Sequence, residues 1–326
     1  MKKLLICFLL CSVFLNGVQA QEPALETRDV EVLFYLIDIE QINNVSQSFV
    51  ANLYMEFRWH DAGLVHDGPD SISSDLDEIW HPRLQLLNQQ RLVQTFPSSG
   101  EIRPDGEVIQ RQRVWGGFSQ PLDLRDFPFD SQRLDFTLVE VGFGTRRVRF
   151  LPSPESGVAE ALTIPDWQIE GWDFSAVELP IASESSETSA MVFSLDVKRL
   201  NGFFVLKVLL PLILIVIMSW LVFWIDLGLI SSRISLSITA MLTMIAYRFA
   251  IAGNIPRLPF LTHMDYFVGT STLLVFLSLL TGVYTARLAN TDRLNKARKV
   301  DFHARWIAPL IYSAVLIETF YLGIGS

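Results

Sequence analysis

Residues 232–260 read SRISLSITAMLTMIAYRFAIAGNIPRLPF, and they decide the fold. The stretch is apolar enough to enter a bilayer, yet Ser232, Ser235, Ser237, Thr239 and Thr243 interrupt its first half. A helix facing lipid gains nothing from a line of hydroxyls. Ser235, Thr239, Leu242, Ala246, Phe249 and Gly253 recur at steps of 4, 3, 4, 3 and 4, which places them on one helical stripe. The stripe carries hydroxyls at its first end and is apolar beyond. A water-filled pore ringed by several such helices has this form, with hydroxyls replacing ion hydration and a hydrophobic constriction gating by dewetting. One helix cannot enclose a pore, so this reading requires an oligomer. Small hydroxyl residues also let membrane helices pack closely, which is the alternative reading of the same stripe.

The rest of the chain fits a membrane protein. Half of its 326 residues are hydrophobic and the mean hydropathy is +0.32. Four apolar segments, 203–224, 234–252, 264–286 and 303–324, each come near the roughly 20 residues that cross about 30 Å of hydrocarbon. The basic run RLANTDRLNKARK lies in a linker, 287–302, that the positive-inside rule places in the cytoplasm. At the start, MKKLLICFLLCSVFLNGVQA has two lysines, an apolar run and a small-residue ending, the pattern of a signal peptide over 1–20. A lipoprotein anchor at Cys11 is disfavoured by Leu10 before it. Cys7 and Cys11 both lie in this signal, so no disulfide or cysteine metal site is expected in the mature chain.

With four crossings, residues 21–202 and the C-terminus lie outside. The outer part holds 14 Lys and Arg against 30 Asp and Glu, a net of −16; residues 203–326 hold 10 against 5, a net of +5. Residues 30–39 and 49–59 alternate apolar and polar, rich in β-branched and aromatic types, and similar runs follow at 106–115, 134–141, 146–150, 167–177 and 190–197. Many short strands at this spacing predict an all-β, Ig-like antiparallel sandwich of about ten strands above a four-helix transmembrane bundle. Only residues 198–202 join the halves, so movement of the sandwich reaches the membrane directly. The loops on the cytoplasmic side are too short for a signalling domain, which needs on the order of 100 residues. Output must therefore come from the bundle.

The piece PLDLRDFPFDSQRL, residues 121–134, resembles the signature loop of the pentameric ligand-gated ion channels, the Cys-loop receptor superfamily. Gln120 and Leu134 stand where eukaryotic members carry the bracketing cysteines, as in prokaryotic members. Further matches run in order: Trp80-His81-Pro82, Trp115-Gly116, Arg199, Pro211, and Asn254-Ile255-Pro256-Arg257-Leu258-Pro259. The resemblance covers the whole mature chain.

It implies a homopentamer around a central pore in a bacterial inner membrane, opened by a small-molecule agonist or a pH change at the outer domain. Ser235 and Thr239 become polar rings of that pore, Leu242 its central hydrophobic ring and Phe249 an outer constriction. Asp130 and Arg199 match a charged pair where sandwich meets membrane, with Asp123 a further acidic candidate and Pro256 in the loop that receives the push. A static structural pair is the alternative for Asp130 and Arg199. Pro128 is a candidate for a cis bond. Family cation channels carry an acidic ring at the cytoplasmic mouth, where this chain has Ser231 and Ser232 beside Arg233. The acidic outer domain concentrates cations, so monovalent cations are the expected permeant ions. Five copies of Arg233 at the mouth would argue for anions.

The family's agonist site lies between subunits, lined by aromatics suited to ammonium ligands. Candidates are Trp80, Glu140, Phe143 and Trp172. Glu40 and Thr188 occupy positions where the amine-gated bacterial relative carries aromatics. Arg91 and Arg111 would suit a carboxylate instead, so amine and carboxylate agonists both stay open. In the alternative reading Trp80 and Trp172 are sandwich core and the arginines are solvated. The five histidines show no ligand spacing and no hydrolase, P-loop or zinc-protease motif occurs, so no enzyme, cofactor or metal is expected, nor a nucleic-acid partner. The competing class is a membrane sensor acting through a partner protein.

Overall fold

The computed structural model describes residues 27–142, 148–180, 187–253, 258–291 and 293–324. The expected signal peptide, Phe143 and Pro256 lie outside the described residues. Twelve strands occur among them, where about ten were expected: β1 (Arg28–Asn43), β2 (Ser48–His60), β3 (Ile72–Asp75), β4 (Leu84–Leu86), β5 (Gln89–Gln94), β6 (Ser99–Ile102), β7 (Glu107–Ser119), β8 (Ser131–Glu140), β9 (Val148–Pro152), β10 (Gly157–Val158), β11 (Trp167–Pro180) and β12 (Glu187–Arg199). The larger sheet runs β10-β1-β2-β7-β6-β3, with β5 on β7 and β9 on β1; the smaller runs β11-β12-β8-β4. Pairing is antiparallel except that β9 and β10 join β1 in parallel. That crossing from one sheet to the other leaves no trace in a period-2 pattern.

Alternation explains the layers. Along β2, Phe49, Ala51, Leu53, Met55 and Phe57 are buried while Asn52 and Tyr54 look outward. Aromatic rings from both sheets meet in the middle. Phe34 stacks on Phe193 with centroids 4.5 Å apart, and the edge of Phe136 packs against Phe49 at 5.2 Å and Phe118 at 4.9 Å. Each such side chain contributes about 1.5–3 kcal/mol on burial. Gly116 on β7 has φ +157°, and a Cβ there would meet the carbonyl of Arg91, so β5 can cross closely only over glycine.

Four helices follow: α1 (Gly202–Trp224), α2 (Ile230–Ile251), α3 (His263–Asn290) and α4 (Leu294–Ile324). All four are long and apolar enough to cross a membrane. Only residues 291–293 separate α3 from α4, so most of the basic 287–302 segment is helical; its Lys, Arg, Leu and Ala are good helix formers. Pro211 in α1 has no N–H, and a π turn over Val205–Leu209 precedes it. The Tyr247 hydroxyl of α2 donates to the Val208 carbonyl there at 2.7 Å. A capping box starts α3: Thr262 Oγ1 accepts from the Asp265 amide, and Asp265 Oδ2 accepts from that of Thr262. Small residues let the bundle close, as where the Ser278 hydroxyl donates to the Ser219 carbonyl at 2.7 Å.

Candidate functional site

The stripe of α2 is open in the protomer. Ser235, Thr239, Leu242, Ala246, Phe249 and Gly253 are all exposed, Leu242 to 61% and Phe249 to 79%. Arg233, Ser237, Ala240, Met244 and Ile251 form the buried face instead. Thr239 donates its hydroxyl proton to the Ser235 carbonyl at 2.9 Å, and Thr243 donates to that of Thr239 at 2.8 Å. Each hydroxyl oxygen thus keeps its lone pairs for whatever fills the stripe.

Ser237 corrects the reading of the five hydroxyls as one line: the other four are exposed and it is not. It is 2% exposed, donates to the Arg233 carbonyl at 3.0 Å, and looks into α3, where a Cβ on Gly282 would lie 3.1 Å from its oxygen. The position falls on the buried face, where a small side chain is what close helix contact needs.

Arg233 is the second correction. It does not stand in an open mouth: its side chain is fully buried and holds Asp301 of α4 bidentately, at 2.6 and 2.7 Å. It also donates to the Ile225 carbonyl at 2.9 Å and to Thr285 Oγ1 at 3.2 Å. Asp301 was missed in the sequence. The available signal was an isolated acid inside a basic run.

At the other end of the bundle the sandwich rests on the helices through residues 121–130. Arg199, the last residue of β12, grips Asp130 with Nε to Oδ1 at 2.7 Å and a terminal nitrogen to Oδ2 at 3.0 Å. The pair is sealed, with side chains 3% and 2% exposed. Arg199 lies over the Trp167 ring at 4.1 Å and also donates to Asn44 Oδ1. Gln132 donates to Asp130 and accepts from the Asp123 amide, which ties the loop to the pair. The Asp123 side chain itself is exposed, 3.5 Å from an equally exposed Arg125. The Phe127–Pro128 bond is cis. Carbonyls of Arg125 and Phe127 accept the first amides of α3, from His263 and Met264, donors that a helix start leaves unsatisfied. The Phe127 ring sits edge-on to Phe204 of α1 at 4.8 Å. One loop therefore touches β12, α1 and α3.

Within one protomer the described members of the expected ligand set do not converge. Arg111 is already paired within the protomer, with Glu56 at 3.0 Å and Glu101 at 2.6 Å. Burial raises the Glu56 carboxyl, but hydrogen bonds from Arg58 and Tyr54 outweigh it and hold it below its ordinary value. Arg111 likewise holds Glu101 low. Trp80 packs edge-on to Trp59 with Arg28 over its ring. Glu140 is 1% exposed, its carboxylate accepting the Gly142 amide at 2.7 Å and its carbonyl the Thr188 hydroxyl. Trp172 stacks on Phe193 yet stays half-exposed. It aligns through Leu195 with Leu134, six residues and about 20 Å along β8 from Glu140. Arg91 is exposed and shares the outer face of the larger sheet with Trp115, Arg113, Asn52 and Tyr54. Glu40 accepts the Trp115 indole N–H at 2.5 Å on the same face.

Two family models match. One, described as neurotransmitter-gated ion-channel ligand binding domain, covers residues 14–201; the other, neurotransmitter-gated ion-channel transmembrane region, covers 208–310. The chain is 26% identical over 262 residues to gamma-aminobutyric acid receptor subunit beta-4 of Gallus gallus, across 77% of this chain and 53% of that protein. It thus spans about half the length of that relative.

Proposed function

The chain belongs to the neurotransmitter-gated ion-channel family, the Cys-loop superfamily of multi-pass membrane channels, and we propose that it is a homopentameric ligand-gated channel whose pore is lined by α2. The observation that carries this is the exposed stripe of α2. A polar-to-apolar row lies uncovered on one side of a helix whose opposite side is buried in its own bundle. Leu242 and Phe249, exposed to that degree, form a hydrophobic constriction that gates by dewetting once several such helices ring a pore.

In this reading residues 1–20 direct export, 21–202 form the outer ligand-binding domain and 203–326 the membrane domain of a prokaryotic inner-membrane protein. Ligand binding between outer domains shifts the 121–130 loop. That loop pulls on α3 and α1 through its carbonyls and Phe127, with Asp130–Arg199 as the rigid link; Pro256 and Asp123 belong to the same coupling in this reading. The permeant ions are monovalent cations. The acidic outer domain attracts them, the Thr239 and Thr243 oxygens face them with lone pairs, and Arg233 is cancelled by Asp301. One reading competes: anion conduction, favoured by the likeness to a gamma-aminobutyric acid receptor subunit and by the lack of a carboxylate on the exposed stripe. For the agonist, a small carboxylate or amino acid suits Arg91, which makes no ion pair among the described residues, on a face bearing Trp115 and Tyr54.

The test is the reversal potential of the purified protein in a bilayer under a salt gradient, during a screen of amines, carboxylates and amino acids. Reversal near the cation limit is expected. Reversal near the anion limit would keep the channel and overturn its selectivity. A folded pentamer that carries no current would favour a sensor coupled to a partner.

A further inference from the structure

Arg233 stands two residues before Ser235, yet a step of two turns the helix about 200°, so its side chain leaves the stripe and enters the bundle. There one carboxylate serves a crowded corner. Asp301 meets both ends of the Arg233 guanidinium, and Arg233 reaches on to the Ile225 carbonyl and Thr285. Arg305, one turn past Asp301 on α4, donates to the Phe223 carbonyl at 2.6 Å and lies over the Trp224 ring at 5.1 Å. The last carbonyls of α1 lack partners within their own helix. Arg305 of α4 supplies one of them, at Phe223, and Arg233 of α2 supplies the Ile225 carbonyl just past the helix. The connection from α1 to α2, which sets where the inner end of the stripe begins, is thus held by α4.

We infer that Asp301 is the positioning and charge-setting residue of the inner pore mouth, cancelling Arg233 in each subunit so that this arginine adds no net positive charge beside the stripe's hydroxyl end. The inference rests on the pore reading of α2. An uncancelled Arg233 would sit about one helix diameter, on the order of 10 Å, from the permeation path. Protein rather than electrolyte fills most of that gap, so salt screens the charge weakly.

The experiment compares Asp301→Asn and Arg233→Gln with the wild type, reading reversal potential under a salt gradient and unitary cation conductance. Asp301→Asn should move reversal toward the anion limit and lower cation conductance. Arg233→Gln, which leaves Asp301 uncancelled, should do the opposite. A purely structural tie would move both variants the same way, and that outcome, or no shift in either, overturns the inference. Should Asp301→Asn fail to assemble, Arg233→Gln decides alone through its cation conductance. A wild type that reverses at the anion limit sinks the selectivity reading only, since the opposed signs still decide this one. A wild type without current removes the pore and this inference with it.

Discussion

Arg199 and Asp130, 69 residues apart in the chain, form a bidentate pair at 2.7 and 3.0 Å sealed beneath the sandwich. Removing one partner strands a buried charge, at a cost of about 3–5 kcal/mol. Asp130→Ala should therefore lower the melting midpoint and blunt the ligand response together. Charge reversal of both residues should recover part of the loss in a double-mutant cycle. Independent, additive losses would remove the pair from the coupling role.

Leu242 is the residue that we place at the hydrophobic constriction. Leu242→Ala widens and wets that ring, so a standing current without agonist, or a left-shifted agonist response, is expected. Currents identical to wild type would take Leu242 out of the gate.

The buried and exposed hydroxyls of α2 predict opposite labelling. Cys7 and Cys11 lie within residues 1–20, so an introduced thiol is unique in the remainder. Ser235→Cys should be blocked by a charged thiol reagent, whereas Ser237→Cys, packed against Gly282, should not. Equal modification of both would mean that the buried face of α2 has been assigned to the wrong side.

Acid should loosen the outer face of the larger sheet. The Glu56 carboxyl is held below its ordinary 4.5 by Arg58, Tyr54 and Arg111 against the opposing effect of burial. A depressed folded value means that its stabilisation is present above the unfolded value and is lost as pH falls through the folded one. Acid-unfolding curves below about pH 4.5 should be steeper for wild type than for Glu56→Gln. Superimposable slopes would show that Glu56 contributes nothing to the acid limb.

Much of this was legible before any coordinates. The 4-3-4-3-4 stripe, the four apolar spans and the long alternating strands are local periodicities, and each residue's face follows from its own element. The strands β3, β4, β6 and β10, of two to four residues, were not legible, because so short a run shows no period. Motif order, from residues 121–134 through Arg199 to Pro211, was enough to reach the family.

Partners were another matter. Composition and period settled that the chain crosses a membrane four times, carries an acidic β domain, and owns one helix with two unlike faces. They could not settle that Arg233 is cancelled by Asp301, 68 residues away, that Arg111 is consumed by Glu56 and Glu101, or that Ser237 faces Gly282. The physical reason is range. A helical or strand period is dictated by backbone geometry over a few neighbours, whereas the fate of a charge depends on which distant element packs beside it. In this protein that packing gives Arg233, which the helical period already turns off the exposed stripe, a buried carboxylate partner.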